Sequence, residues 1–398
     1  MAAWKPLRPV SNTEEKLVNT AFETAERSTS RDSRRRRGLV RLAGGATALG
    51  VLVTAACTPT ERTSSTPTTT QPATSLAAGD MSRGADNFFT SDRVTVEKVT
   101  FKNQYQMNVT GNLFVPNDMD RNAKNPAMVV GHPMGAVKEQ SANLYAAKLA
   151  ERGFVTMSLD LSYWGESEGE PRNVVAPDVY TEDFSAAVDY LRTQSFVDAE
   201  RIGALGVCGS GSFVISAAKI DPRIKAVATV SMYDMGGVNR NGLRGAMTAE
   251  QRQQALAQAA RQRDVEFAGG EVEYIGGTPF ELTEQSSPID REFYDFYRTA
   301  RGNSPDTSTQ PTLSSNVRFM NFYPFEDIET ISPRPMLFVT GDQAHSREFS
   351  EQAYQLAAEP KQLVVVPAAG HVDLYDRVDV IPFDTLATFF QNSLNTAG

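Results

Sequence analysis

The amino-acid sequence predicts an α/β protein in which a mostly parallel sheet is covered by helices on both faces. Three observations carry that expectation. Short apolar strand patterns alternate with helical ones from residue 127 to residue 231, the order in which parallel strands and crossover helices follow one another. The stretch Ile202–Ala218, IGALGVCGSGSFVISAA, reads as a buried strand that stops at a cysteine and restarts at once as a helix. After Tyr233 the alternation breaks and resumes only at Pro335–Thr340, so the intervening residues form an insertion after the sixth strand rather than a second domain.

Taken in order, the chain opens with an export layout. Residues 1–37 are polar and charged, and the basic cluster Arg34–Arg37 directly precedes the apolar run Leu42–Ala56, which is short of the ~20 residues a membrane span needs. Arg36-Arg37-Gly38-Leu39-Val40 fits the twin-arginine pattern. Val53-Thr54-Ala55-Ala56-Cys57 resembles a lipobox, with Thr54 where leucine is preferred, so residues 1–57 read as an export signal ending at a lipidated Cys57. The protein is then a membrane-anchored lipoprotein. The alternatives are an ordinary cleavage site releasing a soluble secreted protein, or a cytoplasmic one if translation begins near Met81. Residues 58–80 are rich in Thr, Ser and Pro and hold almost no large apolar side chains, so a tether is expected, extending over 58–91.

The globular domain is expected over 92–398. Val94–Phe101 and Met107–Pro116 alternate as an antiparallel hairpin. Strand Ala127–Gly131, helix Lys138–Arg152, strand Phe154–Asp160, helix Val179–Thr193, strand Ile202–Val207, a helix from Gly209 and strand Ile224–Ser231 follow. The insertion, about 235–328, carries a helical piece, Thr248–Arg263, and then many aromatics, which either line an acyl pocket or form the insertion's own core. Strand Pro335–Thr340, helix Ser346–Ala357, strand Gln362–Pro367 and a helix within Ile381–Leu394 close the chain.

The chemistry is expected at Cys208. Gly206, Cys208, Ser210 and Gly211 form Gly-x-Cys-x-Ser-Gly, a nucleophile elbow with cysteine in place of serine, whose small flanking residues let strand and helix approach closely. A cysteine at a helix N-terminus gains thiolate character from the helix dipole. The competing reading is a small buried residue in a glycine-rich turn. With Cys57 acylated and Cys208 the nucleophile, neither of the two cysteines is left for a disulfide. The net charge of −9 argues against nucleic acid as a partner, and no cluster has metal-ligand spacing or a phosphate-cradling loop, so no metal and no cofactor are expected.

The elbow resembles that of dienelactone-hydrolase-like α/β-hydrolases. The phrases GHPMGAVKEQ, YWGESEGEPR, EDFSAAVDYL, DPRIKAVATVSMYDMG, HSREFSEQAY and PAAGHVDLYD extend the resemblance over about Asp92–Asn395, to a family also labelled Xaa-Pro-dipeptidyl-peptidase-like, with fungal members described as polyketide acyl transferases. It implies an α/β-hydrolase fold with a cap after the sixth strand. His371, in the loop after the last strand, and Asp342, after the penultimate one, complete the chain order nucleophile, acid, histidine. Asp342 would accept the histidine N–H, with Asp234 as the alternative acid. His132 begins the loop where the backbone N–H groups of Met134 and Gly209 would hold an oxyanion, Pro133 having none to give. His345 would open a helix or touch substrate. The reaction implied is hydrolysis of an ester, lactone or thioester of a small-molecule acyl substrate through a Cys-His-Asp triad and a thioester intermediate, or acyl transfer by the same groups. A non-catalytic lipid-anchored binding protein is the reading from another class.

Overall fold

A computed structural model describes residues 79–395. The expected signal, Cys57 and most of the tether lie outside the described residues. Eight strands form one sheet: β1 (Val94–Lys102), β2 (Asn108–Pro116), β3 (Asn125–Gly131), β4 (Val155–Leu159), β5 (Val197–Val207), β6 (Ile224–Val230), β7 (Met336–Gly341) and β8 (Lys361–Val366). Their order is β1-β2-β4-β3-β5-β6-β7-β8. β1 and β2 pair as the expected antiparallel hairpin, with Val99 opposite Gly111, and β2 joins β4 antiparallel. All later pairings are parallel. This is the α/β-hydrolase fold. The central strands are buried along their length because helices cover both faces, which is why they read as continuous apolar runs rather than alternating ones.

The helices are α1 (Ser141–Ala150), α2 (Pro177–Thr193), α3 (Gly209–Ile220), α4 (Met235–Asn241), α5 (Ala249–Phe267), α6 (Pro288–Tyr297), α7 (Leu313–Asn316), α8 (Arg347–Leu356), α9 (Asp373–Asp376) and α10 (Phe383–Asn395). α1 packs with α10 as one layer, and α2 with α3 as the other. The chain turns outward from β3 to β4 and then returns to lay β5 on the other side of β3, so the loops after β3 and β5 diverge and leave a crevice at their carboxyl ends. That crevice is where the site forms.

Between β6 and β7 the chain makes a cap containing α4 to α7. α5 starts at a capping box, with Thr248 and Gln251 satisfying each other's backbone N–H, yet buries only Ala259 and Gln262. The cap aromatics divide three ways. Phe293, Tyr297 and Phe319 line the cavity over Cys208, Phe296 and Phe325 are core, and Phe280 and Tyr323 are exposed. One expectation needs correction: the tether does not run to residue 91. Arg83 pairs with Asp306 at 2.6 Å and Glu166 at 3.0 Å, and the Asp86 N–H donates to the Asn303 carbonyl, so this stretch docks on the domain. The sequence hid this because the ion pairs are long-range.

Candidate active site

β5 delivers Cys208 into a turn with φ 54° and ψ −117°, outside the regions an L-residue ordinarily adopts. Such backbone costs roughly 1–3 kcal/mol and persists only when its surroundings enforce it. The enforcement is visible. A Cβ at Gly206 would lie 2.2 Å from the Ser210 carbonyl oxygen, so the turn closes only around glycine. The Cys208 N–H donates to Val230 on β6 at 2.9 Å, and its carbonyl accepts from Gly211 and Tyr233. Ser210 and Ser212 spend their hydroxyls on the carbonyls of His132 and Tyr233, whereas Cys208 lines the cavity.

The two expected oxyanion donors lie in the loop after β3 and at the start of α3. The N–H groups of Gly209 and Met134 both point to the Cys208 sulfur. A Cβ on Gly209 would meet Met134 Cβ at 2.7 Å and its nitrogen at 3.1 Å, so glycine is what lets the two donors converge. The cap holds this loop from above: the Thr309 N–H donates to the Gly135 carbonyl at 3.2 Å. His132 is a fastener here rather than a base. Its Nε2 accepts the Leu161 N–H at 3.2 Å, so the proton sits on Nδ1 and is given to the Pro133 carbonyl at 2.7 Å.

His371 is fully buried in the loop after β8 and does not reach the sulfur directly. Its Nε2 lies 2.9 Å from the Tyr375 hydroxyl, which lines the same cavity as Cys208 and favours charge on its sulfur. Its Nδ1 lies 2.6 Å from Ser346 Oγ, at the N-terminus of α8. Asp342, expected to accept this N–H, does not meet His371. Its backbone N–H is tied to Val366 and the next residue's to Ala369, which fixes the turn with Ser346 facing the imidazole; Asp342 Oδ1 is buried without a hydrogen-bond partner among the described residues. Asp234 is not the acid either. It caps α4 by accepting the Gly237 N–H at 2.7 Å.

Burial sets the protonation states. It pushes the Cys208 thiol up to about 11, against the opposing hydrogen bonds from Tyr375, Gly209 and Met134. It also holds His371 well below the ordinary histidine value, with His345 adding to the effect, and raises the Tyr375 phenol well above its own. Burial thus favours a neutral thiol, phenol and imidazole over the thiolate expected from the helix terminus. Such a chain can pass the thiol proton through Tyr375 to His371 as the sulfur attacks a carbonyl.

A second chain lies alongside. His345 Nδ1 is 3.0 Å from Glu292 Oε2, its Nε2 is 2.6 Å from the Tyr233 hydroxyl, and its ring centroid is 4.6 Å from that of His371. Cys208, Tyr233 and Tyr375 open together onto a cavity of about 340 Å³, roofed by Phe293, Tyr297 and Phe319. Tyr375, Ser346, Tyr233 and Glu292 were not singled out in the sequence. Tyr375 had a signal, four residues after His371 in a helical turn, and Tyr233 sits where β6 ends; Ser346 and Glu292 are placed by tertiary contacts alone.

Among the described residues one acidic group has metal-ligand proximity, Glu139, Asp160 and Glu166, behind the oxyanion loop. Lys138 Nζ occupies its centre, 2.5, 2.8 and 2.7 Å from the three carboxylates. The Lys138 ammonium sits among the three carboxylates, and Arg83 and Lys98 add positive charge at Glu166, so the cluster is an ion-pair network.

Comparison with known proteins agrees with this fold. The family model described as "Alpha/beta hydrolase family" matches residues 128–381. An uncharacterized protein of Pseudomonas aeruginosa, PA2218, is 43% identical over 381 residues, 95% of this chain and 100% of that protein. The crystal structure of hypothetical protein PA2218 superposes with a TM-score of 0.75 over 77% of this chain and 97% of that one. Polyketide transferase claH of Penicillium crustosum is 25% identical, with 70% of this chain and 91% of that protein covered. Thiohydrolase aneE of Aspergillus aculeatus is 26% identical, with 54% of this chain and 68% of that protein covered.

Proposed function

We propose that this chain, which belongs to the alpha/beta hydrolase family, is a cysteine-dependent acyl-transfer enzyme acting on esters, lactones or thioesters. Cys208 attacks the carbonyl carbon while its proton moves through the Tyr375 hydroxyl to His371 Nε2. The oxyanion forms between the Met134 and Gly209 N–H groups, which already face the sulfur. Collapse breaks the bond to the leaving group, which takes the proton back from His371, and a thioester on Cys208 remains. Water resolves it in a hydrolase; a hydroxyl acceptor resolves it in a transferase. Two distant relatives bear names of these two kinds, a thiohydrolase and a polyketide transferase.

The observation that carries the reading is the strained Cys208 turn opening onto two convergent N–H donors and a tyrosine–histidine pair within one cavity. Its test is direct. Residues 79–398 incubated with p-nitrophenyl esters and acyl thioesters should release the leaving group in a burst, with one acyl mass added at Cys208. Cys208→Ala should lose both, by at least about a hundredfold in rate. Turnover without adduct, unchanged in Cys208→Ala, would end the proposal.

A further inference from the structure

The second chain, Glu292–His345–Tyr233, has the polarity of a working acid–base relay. The Glu292 carboxylate lies below the ordinary range: burial would raise it, but the His345 hydrogen bond and the backbone N–H groups of Val372 and His371 outweigh that. An ionised carboxylate can only accept, so in the neutral imidazole His345 carries its proton on Nδ1 and its Nε2 lone pair takes the Tyr233 O–H at 2.6 Å. This is the carboxylate–imidazole–hydroxyl order that fixes a base's tautomer. His371, by contrast, has only the Ser346 hydroxyl behind it.

The arrangement is also specifically accommodated. Glu292 belongs to cap helix α6, and its other oxygen accepts the Val372 N–H at 2.8 Å beside His371. A Cβ at Gly370 would stand 2.8 Å from Glu292 Oε1, so the glycine before His371 is what admits the carboxylate. Tyr233 lines the same cavity as Cys208, is edge-on to His371 with centroids 5.1 Å apart, and is positioned by its backbone N–H on the Cys208 carbonyl. Two tyrosine–histidine arms therefore open onto the cavity that holds Cys208, and the first mechanism uses only one.

We infer that Tyr233 is the catalytic base toward the hydroxyl nucleophile that resolves the acyl-enzyme, with His345 and Glu292 as its positioning residues; this rests on the acyl-transfer reading. As the nucleophile's oxygen bonds the thioester carbon, its hydrogen passes to the Tyr233 oxygen and the Tyr233 hydrogen passes to His345 Nε2. The tetrahedral adduct then collapses, the C–S bond breaks with its electron pair on sulfur, and the product acid or ester leaves. The thiolate becomes thiol again when the His345 proton returns through Tyr233. Atoms and charge balance without a co-reactant. Division of labour follows: the Tyr375–His371 arm serves acylation, and the Tyr233–His345 arm serves deacylation.

Pre-steady-state kinetics of the full chain with p-nitrophenyl butyrate, with and without ethanol, separates the two arms. Tyr233→Phe should keep the p-nitrophenol burst within about threefold while slowing the later phase by about a hundredfold, in the range of general-base catalysis. Butyryl-Cys208 should then accumulate by intact mass. Glu292→Gln, which retains an oxygen for the Val372 N–H, should show the same split more weakly. Loss confined to water addition or to ethyl butyrate formation tells which nucleophile the arm serves. Equal slowing of burst and deacylation, or neither, overturns the inference. A wild-type protein that never forms acyl-Cys208 overturns the acyl-transfer reading itself, and this one with it.

Discussion

At Cys208 two physical effects oppose each other, and their sizes decide the protonation state. A helix N-terminus is worth roughly 0.3–1 kcal/mol to an anion, less than one pKa unit. Removal of the thiolate from water costs more, so the thiol rises to about 11 despite three hydrogen-bond donors. Iodoacetamide labelling of Cys208 should accordingly climb about tenfold per pH unit from about pH 7 to about pH 10, where an exposed thiol levels off near ~8.5. A plateau below about pH 7 would restore the thiolate. The same scale decides the histidine's orienting group. Ser346 Oγ is the atom at His371 Nδ1, and Asp342 is elsewhere. Ser346→Ala should therefore lower kcat/KM by about 10- to 100-fold through a misoriented imidazole, with Asp342→Asn within about threefold. The reverse ranking, with both variants folded, would return Asp342 to the role.

Strands, helices and elbow were legible in the sequence because each rests on local pattern: apolar runs under helical cover, then glycine and serine where Cys208 turns. The antiparallel hairpin followed from alternation in Val94–Phe101 and Met107–Pro116. Helix α6 was missed among aromatics, although Ser287 and Asp290 form a capping box with Pro288 at its first position. The residues that complete the site were less legible for a plain reason. Glu292 lies 79 positions before His371 and reaches it only because the cap folds back over the sheet, which no local spacing encodes. The elbow itself is a testable element. Gly209→Ala puts a methyl 2.7 Å from Met134 Cβ and should part the two oxyanion donors. Turnover should fall about 10²–10³-fold, as when one such donor is lost. Circular dichroism and an unchanged substrate KM would locate the damage in the donors; wild-type turnover would exclude these N–H groups from the reaction.

Across the whole molecule, buried titratable groups make opposing contributions to pH stability, and their signs can be worked out. Burial lowers His371 and His132, so below about pH 6.5 the unfolded chain binds protons there that the folded chain resists; this part of the stability rises with pH. Burial pushes Asp183 the other way, up to about 7, although it accepts from Ser162 and Asn103. Folded Asp183 thus keeps a proton that the unfolded chain releases above about pH 4, and its contribution is lost as pH rises toward 7. Glu139, raised by burial and by Asp160 beside it, acts in the same direction. Glu182, Asp234 and Asp376 are raised by burial as well and add to the second sign. Asp183→Asn removes one offset. Whatever it costs in absolute stability, its unfolding free energy should gain a slope of about 1.4 kcal/mol per pH unit, increasing from about pH 4.5 to 6.5. Urea titrations of both proteins at several pH values measure that slope, and parallel curves would mean that Asp183 is ionised in the folded protein.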